Sequence, residues 1–366
     1  MQKAKKRLFS VTAVLLAVLV ALTALLPTAG AAQAATMRSK YTGKSYTHNA
    51  RFNKLEVLNG VDISAWQEKV NWKKIKNDGI DFAILRAGYG KKASQEDAYF
   101  ATNFKNATAA GLPVGIYWYS YAKSVADVEK EARLCLQVLG SRTLDLPVFY
   151  DLEESSQLSR GKAFCTQLVE RFCSIIAAAG HTPGLYMSRS PLLDYIEQET
   201  RGRYALWVAE YGSKTCKYDG DYLMWQYADN GKVAGVNGNT DMDFLYGNKN
   251  SLPGSATLLK SKTYTGKAIT PAPTVTGEDG QPLKADKDYT LTYTNNKAVG
   301  MATITAQGLG TYTGRRWYYR FKILPAKVTG LTLESRSKTR LTYIWNATPG
   351  ANAYLVKVIN LSLIHI

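Results

Sequence analysis

Histidine is scarce in this chain of 366 residues, occurring only as His48, His181 and His365. Three imidazoles scattered over that length argue against a centre that consumes several, such as a multi-His zinc site. Cysteine is nearly as sparse. Cys135, Cys165, Cys173 and Cys216 show no CxxC spacing, so neither a metal nor a cofactor is expected. Cys165 and Cys173 stand on one expected helix about 12 Å apart, too far to bond each other. The thiols otherwise read either as disulfides or as buried free groups. Glycine (29) and proline (11) are too few for a collagen-like or low-complexity chain. Acidic side chains are in deficit, 29 against 46 Lys and Arg. What remains is a globular composition at a length that calls for two or more domains.

The net charge of +17 is unevenly spread. Residues 1–36 carry 4 basic and no acidic side chains, residues 37–250 carry 27 and 24, and residues 251–366 carry 15 and 5. The basic C-terminal region suits an anionic partner such as a wall polymer, or equally a solubilising surface. No aromatic-basic RNA motif accompanies it, so no nucleic-acid partner is expected. At the other end, Lys3, Lys5, Lys6 and Arg7 precede an apolar run over 8–26 and the small-residue stretch Ala32-Gln33-Ala34. That order predicts a secretory signal over 1–34, a linker over 35–54 and an exported, extracellular or wall-associated protein. The run also approaches the length of a membrane anchor.

Between residues 57 and 246, short β-rich runs recur at 57–63, 81–87, 113–120, 146–153, 182–188, 204–211, 222–227 and 240–245. Helical patterns intervene at 97–110, 125–139, 161–179 and 191–200, and the last connections are too short for full helices. Alternating strands and helices predict an α/β fold with a parallel sheet, and eight strands predict a closed barrel with an incomplete helical ring. In such barrels the chemistry gathers at the C-terminal ends of the strands.

Four acids fall on that rim. Asp62 ends the first run, Asp151 and Glu153 end the fourth, and Asp241 begins the last. Strand alternation puts Asp151 and Glu153 on one face. Two carboxylates so close cannot both ionise freely, so one should keep a proton for general acid catalysis. Glycoside hydrolysis needs one acid to protonate the leaving oxygen and a second group to stabilise or attack the oxocarbenium-like centre. A lone Asp at a strand end is more often a turn or cap residue. The Asp-x-Glu pair after an apolar strand is the stronger signal. Glu154 and Asp243 are expected to turn away from the rim and are left out of the site.

Aromatic residues accompany the acids: Tyr117 and Tyr119 on the third run, Tyr186 on the fifth, Trp207 on the sixth, and Trp225-Gln226-Tyr227 on the seventh. Sugar rings present C–H faces to aromatic planes, while Tyr hydroxyls and the Gln amide reach polar edges. Any one of these aromatics taken alone is more naturally core. As a group beside the acids they read as substrate-binding.

Gly60-Val61-Asp62-Ile63-Ser64-Ala65-Trp66-Gln67, Val70-Asn71-Trp72, Asp151-Leu152-Glu153, Leu206-Trp207-Val208-Ala209, Trp225-Gln226-Tyr227 and Gly238-Asn239-Thr240-Asp241 follow one another in order. Together they resemble the glycoside hydrolase family 25 muramidases across residues 55–250. The resemblance implies a flattened β/α barrel that cleaves the β-1,4 bond between N-acetylmuramic acid and N-acetylglucosamine in peptidoglycan. By position it implies Glu153 as proton donor, with Asp62, Asp151 and Asp241 as the other active-site acids. Two mechanisms fit. Either a carboxylate, Asp151 or Asp241, attacks or activates water, or the substrate's own N-acetyl group attacks while Asp151 orients it. Carboxylate separation discriminates, about 5 Å for direct retention and more for inversion. Substrate assistance with retention is favoured here, because both sugars carry a 2-acetamido group. A non-catalytic wall-binding lectin and a chitinase-like hydrolase are the competing readings, and a monomer is expected.

Beyond residue 252 the composition turns to Thr, Tyr, Gly and Lys without helical periodicity. Residues 253–325 are expected to form an all-β sandwich and resemble a bacterial immunoglobulin-like repeat. Residues 326–360 resemble the opening strands of a fibronectin type III module, cut short. Leu361-Ser362-Leu363-Ile364-His365-Ile366 resembles translated sequencing adapter and is read as an artefact, so His365 is given no role.

Overall fold

The computed structural model describes residues 34–53, 55–247, 252, 256–277, 280–312, 315–337, 340–351 and 354. Apart from Ala34 and Tyr354, the expected signal segment, residues 352–360 of the expected fibronectin-like stretch and residues 361–366 lie outside these. Among the described residues no helix is long and apolar enough to cross a membrane.

Eight strands close a barrel: β3 (Glu56–Ile63), β4 (Phe82–Tyr89), β5 (Val114–Tyr119), β6 (Val148–Asp151), β7 (Pro183–Ser188), β8 (Ala205–Ala209), β9 (Met224–Gly231) and β10 (Thr240–Gly247). Neighbours from β3 to β9 run parallel, whereas β10 pairs antiparallel with both β9 and β3. This corrects the wholly parallel sheet that strand-helix alternation predicts. A short connection lets the chain turn straight back from β9, and a strand that descends from the rim puts its first residues, not its last, beside the active-site edge.

The interior is filled by one set of alternating side chains, among them Leu58, Phe82, Ile84, Phe149, Trp207 and Met224. Two glycines make room for the larger rings. A Cβ at Gly60 would lie 2.1 Å from the Phe82 ring, and one at Gly184 2.4 Å from Phe149. The opposite set of side chains packs outward under the helices α1 (Trp72–Asn77), α2 (Phe100–Ala109), α3 (Val125–Leu139), α4 (Ser155–Leu158), α5 (Lys162–Ala178), α6 (Arg189–Tyr195) and α7 (Gln198–Arg203). Asn71 and Ser124 cap α1 and α3 by accepting backbone N–H groups, which fixes where those helices start.

The helical ring stops short of β9 and β10, and the N-terminal segment fills the gap. A hairpin of β1 (Thr36–Arg38) and β2 (Ser45–Thr47) is followed by a chain whose Tyr46, His48 and Phe52 are buried against Trp225, Phe244 and Tyr246. His48 Nδ1 and the Tyr246 hydroxyl share a hydrogen bond of 2.9 Å. The stretch expected to be a linker is thus part of the barrel's packing, because exposed aromatics on two uncovered strands need a cover. All four cysteines are buried free thiols.

Beyond the barrel, β11 (Thr257–Leu258), β12 (Lys262–Thr263), β13 (Tyr289–Thr294), β14 (Gly300–Gly308) and β15 (Arg316–Leu324) form one five-stranded sheet among the described residues, over a core including Val275, Ile304 and Phe321. A single sheet stands where two facing ones were expected. A separate hairpin joins β16 (Thr332–Arg336) to β17 (Leu341–Ile344). The sheet is held at the N-terminal end of the barrel strands, away from the acid rim. The Asp221 carboxylate accepts from Arg316 Nη2 at 2.6 Å and from the Gln307 amide, and Asn295 Nδ2 donates to the Ser174 carbonyl at 2.7 Å.

Candidate active site

Asp62 and Asp241 are directly paired across β3 and β10, and Asp151 is the last residue of β6. Their inward parity brings all three to one end of the barrel. Asp62 Oδ2 accepts from Gln226 Nε2 at 2.7 Å, and Gln226 Oε1 in turn accepts from the Tyr186 hydroxyl at 2.7 Å and from the Tyr211 hydroxyl. The cross-strand pairing sets the Asp62 and Asp241 carboxyls side by side on the inner face. Asp151 is buried, and its Oδ1 has no partner among the described residues. Since β6 ends at Asp151, Glu153 sits past the strand, partly exposed, above it.

The electrostatics follow from crowding acids in an apolar barrel. Burial raises Asp62 well above the ordinary carboxylate range, and Asp241, Asp243 and Asp151 add to the effect, while the Gln226 hydrogen bond opposes it. Burial also raises Asp151, followed by the Glu153 charge, and Arg86 pulls the other way. Glu153 is raised by burial, then by Glu154 and Asp241. Burial and Asp229 push Asp241 up to about 6, against the Asp62 hydrogen bond. Such a set holds protons near neutral pH that isolated carboxyls would have released.

Tyr117, Tyr119, Tyr186, Trp207 and Gln226 all belong to the inward-facing set. Trp207 packs edge-on to Tyr186 with centroids 4.5 Å apart, and the Tyr119 hydroxyl donates to Glu154 Oε1 at 2.7 Å. Trp225 and Tyr227 do not join them. Each neighbours Gln226 on β9 and so points the opposite way, Trp225 to donate to the Glu210 carbonyl at 3.1 Å and Tyr227 to stack on Phe244 at 4.0 Å. Both are structural aromatics beneath the N-terminal segment.

Three groups were missed from sequence. Asp243 lies two residues from Asp241 and therefore on the same face, inside the barrel, so its expected outward turn is corrected. Glu154, past the strand end, escapes alternation and comes close enough to raise Glu153. Arg86 on β4 donates through Nε to Asp97 Oδ2 at 2.8 Å, and Asp97 also accepts from the Ala65 amide at 2.9 Å, tying the loop after Asp62 to the next strand. The inward parity of Arg86 was legible in its strand. Its companion Asp97 lies outside every strand and carried no signal.

Residues 61–236 match the family model described as Glycosyl hydrolases family 25. The chain is 31% identical over 206 residues to the uncharacterized protein YegX of Escherichia coli O157:H7, spanning 54% of this chain and 72% of that one. The chain belongs to glycosyl hydrolase family 25. It is accordingly a glycoside hydrolase, with an acid-lined rim at the end of the barrel where this family 25 chain gathers its carboxyls. It is also similar to the autolytic lysozyme of Clostridium acetobutylicum, at 26% identity over 51% of this chain and 55% of that one. Lysozyme M1 of Streptomyces globisporus is 25% identical over 52% of this chain and 68% of its own.

Proposed function

We propose that this enzyme is an exported muramidase that hydrolyses the β-1,4 bond between N-acetylmuramic acid and N-acetylglucosamine in peptidoglycan. The observation that carries the reading is the placing of Glu153, partly exposed and raised by burial, close to the buried Asp151, whose Oδ1 has no partner among the described residues. The lysozyme names of two relatives support the substrate class. Glu153 gives its proton to the glycosidic oxygen as the bond to C1 breaks. The carbonyl oxygen of the substrate's own 2-acetamido group attacks C1, with Asp151 Oδ1 accepting the amide N–H and orienting it. Glu153, now a carboxylate, takes a proton from the water that opens the ring intermediate, so configuration is retained. Asp62, held by Gln226, and its cross-strand neighbour Asp241 form the far wall of the site.

The β-rich residues 253–325 are read as a spacer whose basic surface meets anionic wall polymers. The test is reducing-end release from purified peptidoglycan, with products identified by mass, for the full chain beside Glu153→Gln. Muramic-acid reducing ends that disappear in the variant support the reading. No release by either protein, with both sedimenting with the wall, would turn the barrel into a lectin, and release from chitin alone would make it a chitinase.

A further inference from the structure

Glu131 is a completely buried carboxyl on α3, outside the barrel, that no step above uses. Its Oε1 accepts the backbone N–H of Tyr121 at 2.8 Å and its Oε2 accepts the Ser120 hydroxyl at 2.8 Å. Ser120 Oγ is further bound by the Tyr150 hydroxyl at 2.6 Å and by Gln157 Nε2 at 2.8 Å, and Gln157 also donates to the Ala122 carbonyl at 3.0 Å. One buried carboxyl therefore anchors the turn that follows β5, on the rim next to the strand that carries Asp151.

The anchored turn presents a single outward ring. Tyr121 is 45% exposed although its own backbone N–H, the Ser120 hydroxyl and the Ala122 carbonyl are all held. Its ring lies 5.1 Å from that of Tyr119, whose hydroxyl holds Glu154, and 6.1 Å edge-on from that of Tyr89. An exposed aromatic next to the acid edge, backed by two more rings, has the form of a stacking face for a sugar. Burying a carboxyl to hold it is costly, and the two accepted hydrogen bonds offset that cost only while the turn keeps this shape.

We propose that Glu131 is a positioning residue for substrate: from behind the sheet it fixes the Ser120–Ala122 turn and so sets the Tyr121 ring as a shelf on which a sugar ring packs beside Glu153 and Glu154. This rests on the reading of the rim as a glycan-cleaving site. The geometry asks for a glycan ring with a C–H face on Tyr121, not for an anion or a metal.

The experiment uses the full chain with soluble uncrosslinked peptidoglycan strands, measuring kcat and KM, and, on the Glu153→Gln background, the Kd of the same strands. Tyr121→Ala and Glu131→Leu are each expected to raise KM and Kd about tenfold, the factor that about 1.4 kcal/mol of lost contact gives, with kcat within about twofold. The double variant should be no worse than the weaker single one, since both remove one shelf. Glu131→Gln, whose amide oxygen can still accept from the Tyr121 N–H, should rescue most of the loss. Unchanged KM and Kd in Glu131→Leu, or multiplying losses in the double variant, would overturn the proposal while leaving the muramidase reading in place. If Glu131→Leu does not fold, the exposed Tyr121→Ala decides on Kd, and an unchanged Kd there overturns the shelf. An absence of turnover in wild type, with weakened binding in the variants, would remove the muramidase reading and support the positioning role.

Discussion

Inside the barrel the indole Nε1 of Trp207 donates to Oδ1 of Asp243 at 2.8 Å, joining an aromatic expected at the site to an acid expected to face away from it. Asp243 is buried, and its Oδ2 has no partner among the described residues. Its Oδ1 is thus an acceptor inside the barrel beneath Asp241. Burial, ahead of the Asp241 charge, raises it well above the unfolded value of 3.8, so the native state keeps a proton that the unfolded chain has lost. Stability should fall as pH rises from 3.8 upward through that window. Asp243→Asn keeps the acceptor and should flatten this dependence in melting curves. Asp243→Leu strands the indole N–H at a cost of about 1–3 kcal/mol. Equal pH slopes in wild type and Asp243→Asn would exclude the neutral carboxyl.

Glu153 should set the alkaline limb of activity. Its proton is retained above the ordinary range by burial first, then by the charges of Glu154 and Asp241. As pH passes the raised value the acid form is lost and kcat/KM should decline. Asp241→Asn removes one of the charges that hold the proton, so the limb should move to lower pH. A limb that stays fixed or moves upward in that variant would take the acid role from Glu153.

Acid sensitivity of the fold should trace partly to His48. Burial lowers it from 6.5 to about 4, so it is neutral in the native state. The unfolded chain takes up a proton below 6.5 that the native state refuses, and stability is lost as pH falls from there toward 4. His48→Gln should give a flatter melting temperature across that interval while still able to bond Tyr246. If its slope matches wild type, the N-terminal segment is not held through this ring.

Contact between barrel and C-terminal sheet should depend on Asp221. Its partner Arg316 is nearly enclosed, with 8% side-chain exposure, so Asp221→Ala leaves a guanidinium without its charge partner. Asp221 itself is 21% exposed, so the loss should fall short of the about 3–5 kcal/mol typical of breaking a fully buried pair from one side. The expected outcome is a lower melting temperature for the sheet, with a larger radius in X-ray scattering. Unchanged scattering and melting would show that the pair does not hold the two together.

Strand-end logic was enough to bring Asp62, Asp151 and Asp241 to one rim, because the period of the apolar runs is a local property of the chain. The same local signals gave the barrel, its eight strands and the gap in its helical ring. Reading Trp225, Gln226 and Tyr227 together as substrate-binding overlooked that neighbours on a strand face opposite ways, so Gln226 cannot share a face with the two rings. Which of the two faces points inward was settled only by closure of the barrel, which turned Gln226 onto Asp62 and sent both aromatics under the N-terminal segment. The reversed direction of β10 likewise comes from closure, and with it the descent from Asp241 at the rim to Asp243 in the interior. Glu131 and Tyr121, ten positions apart, meet through the packing of α3 on the barrel. Local periodicity fixes which residues share a face, whereas the partner that face meets depends on contacts between segments far apart in the chain, and these exist only once it has folded.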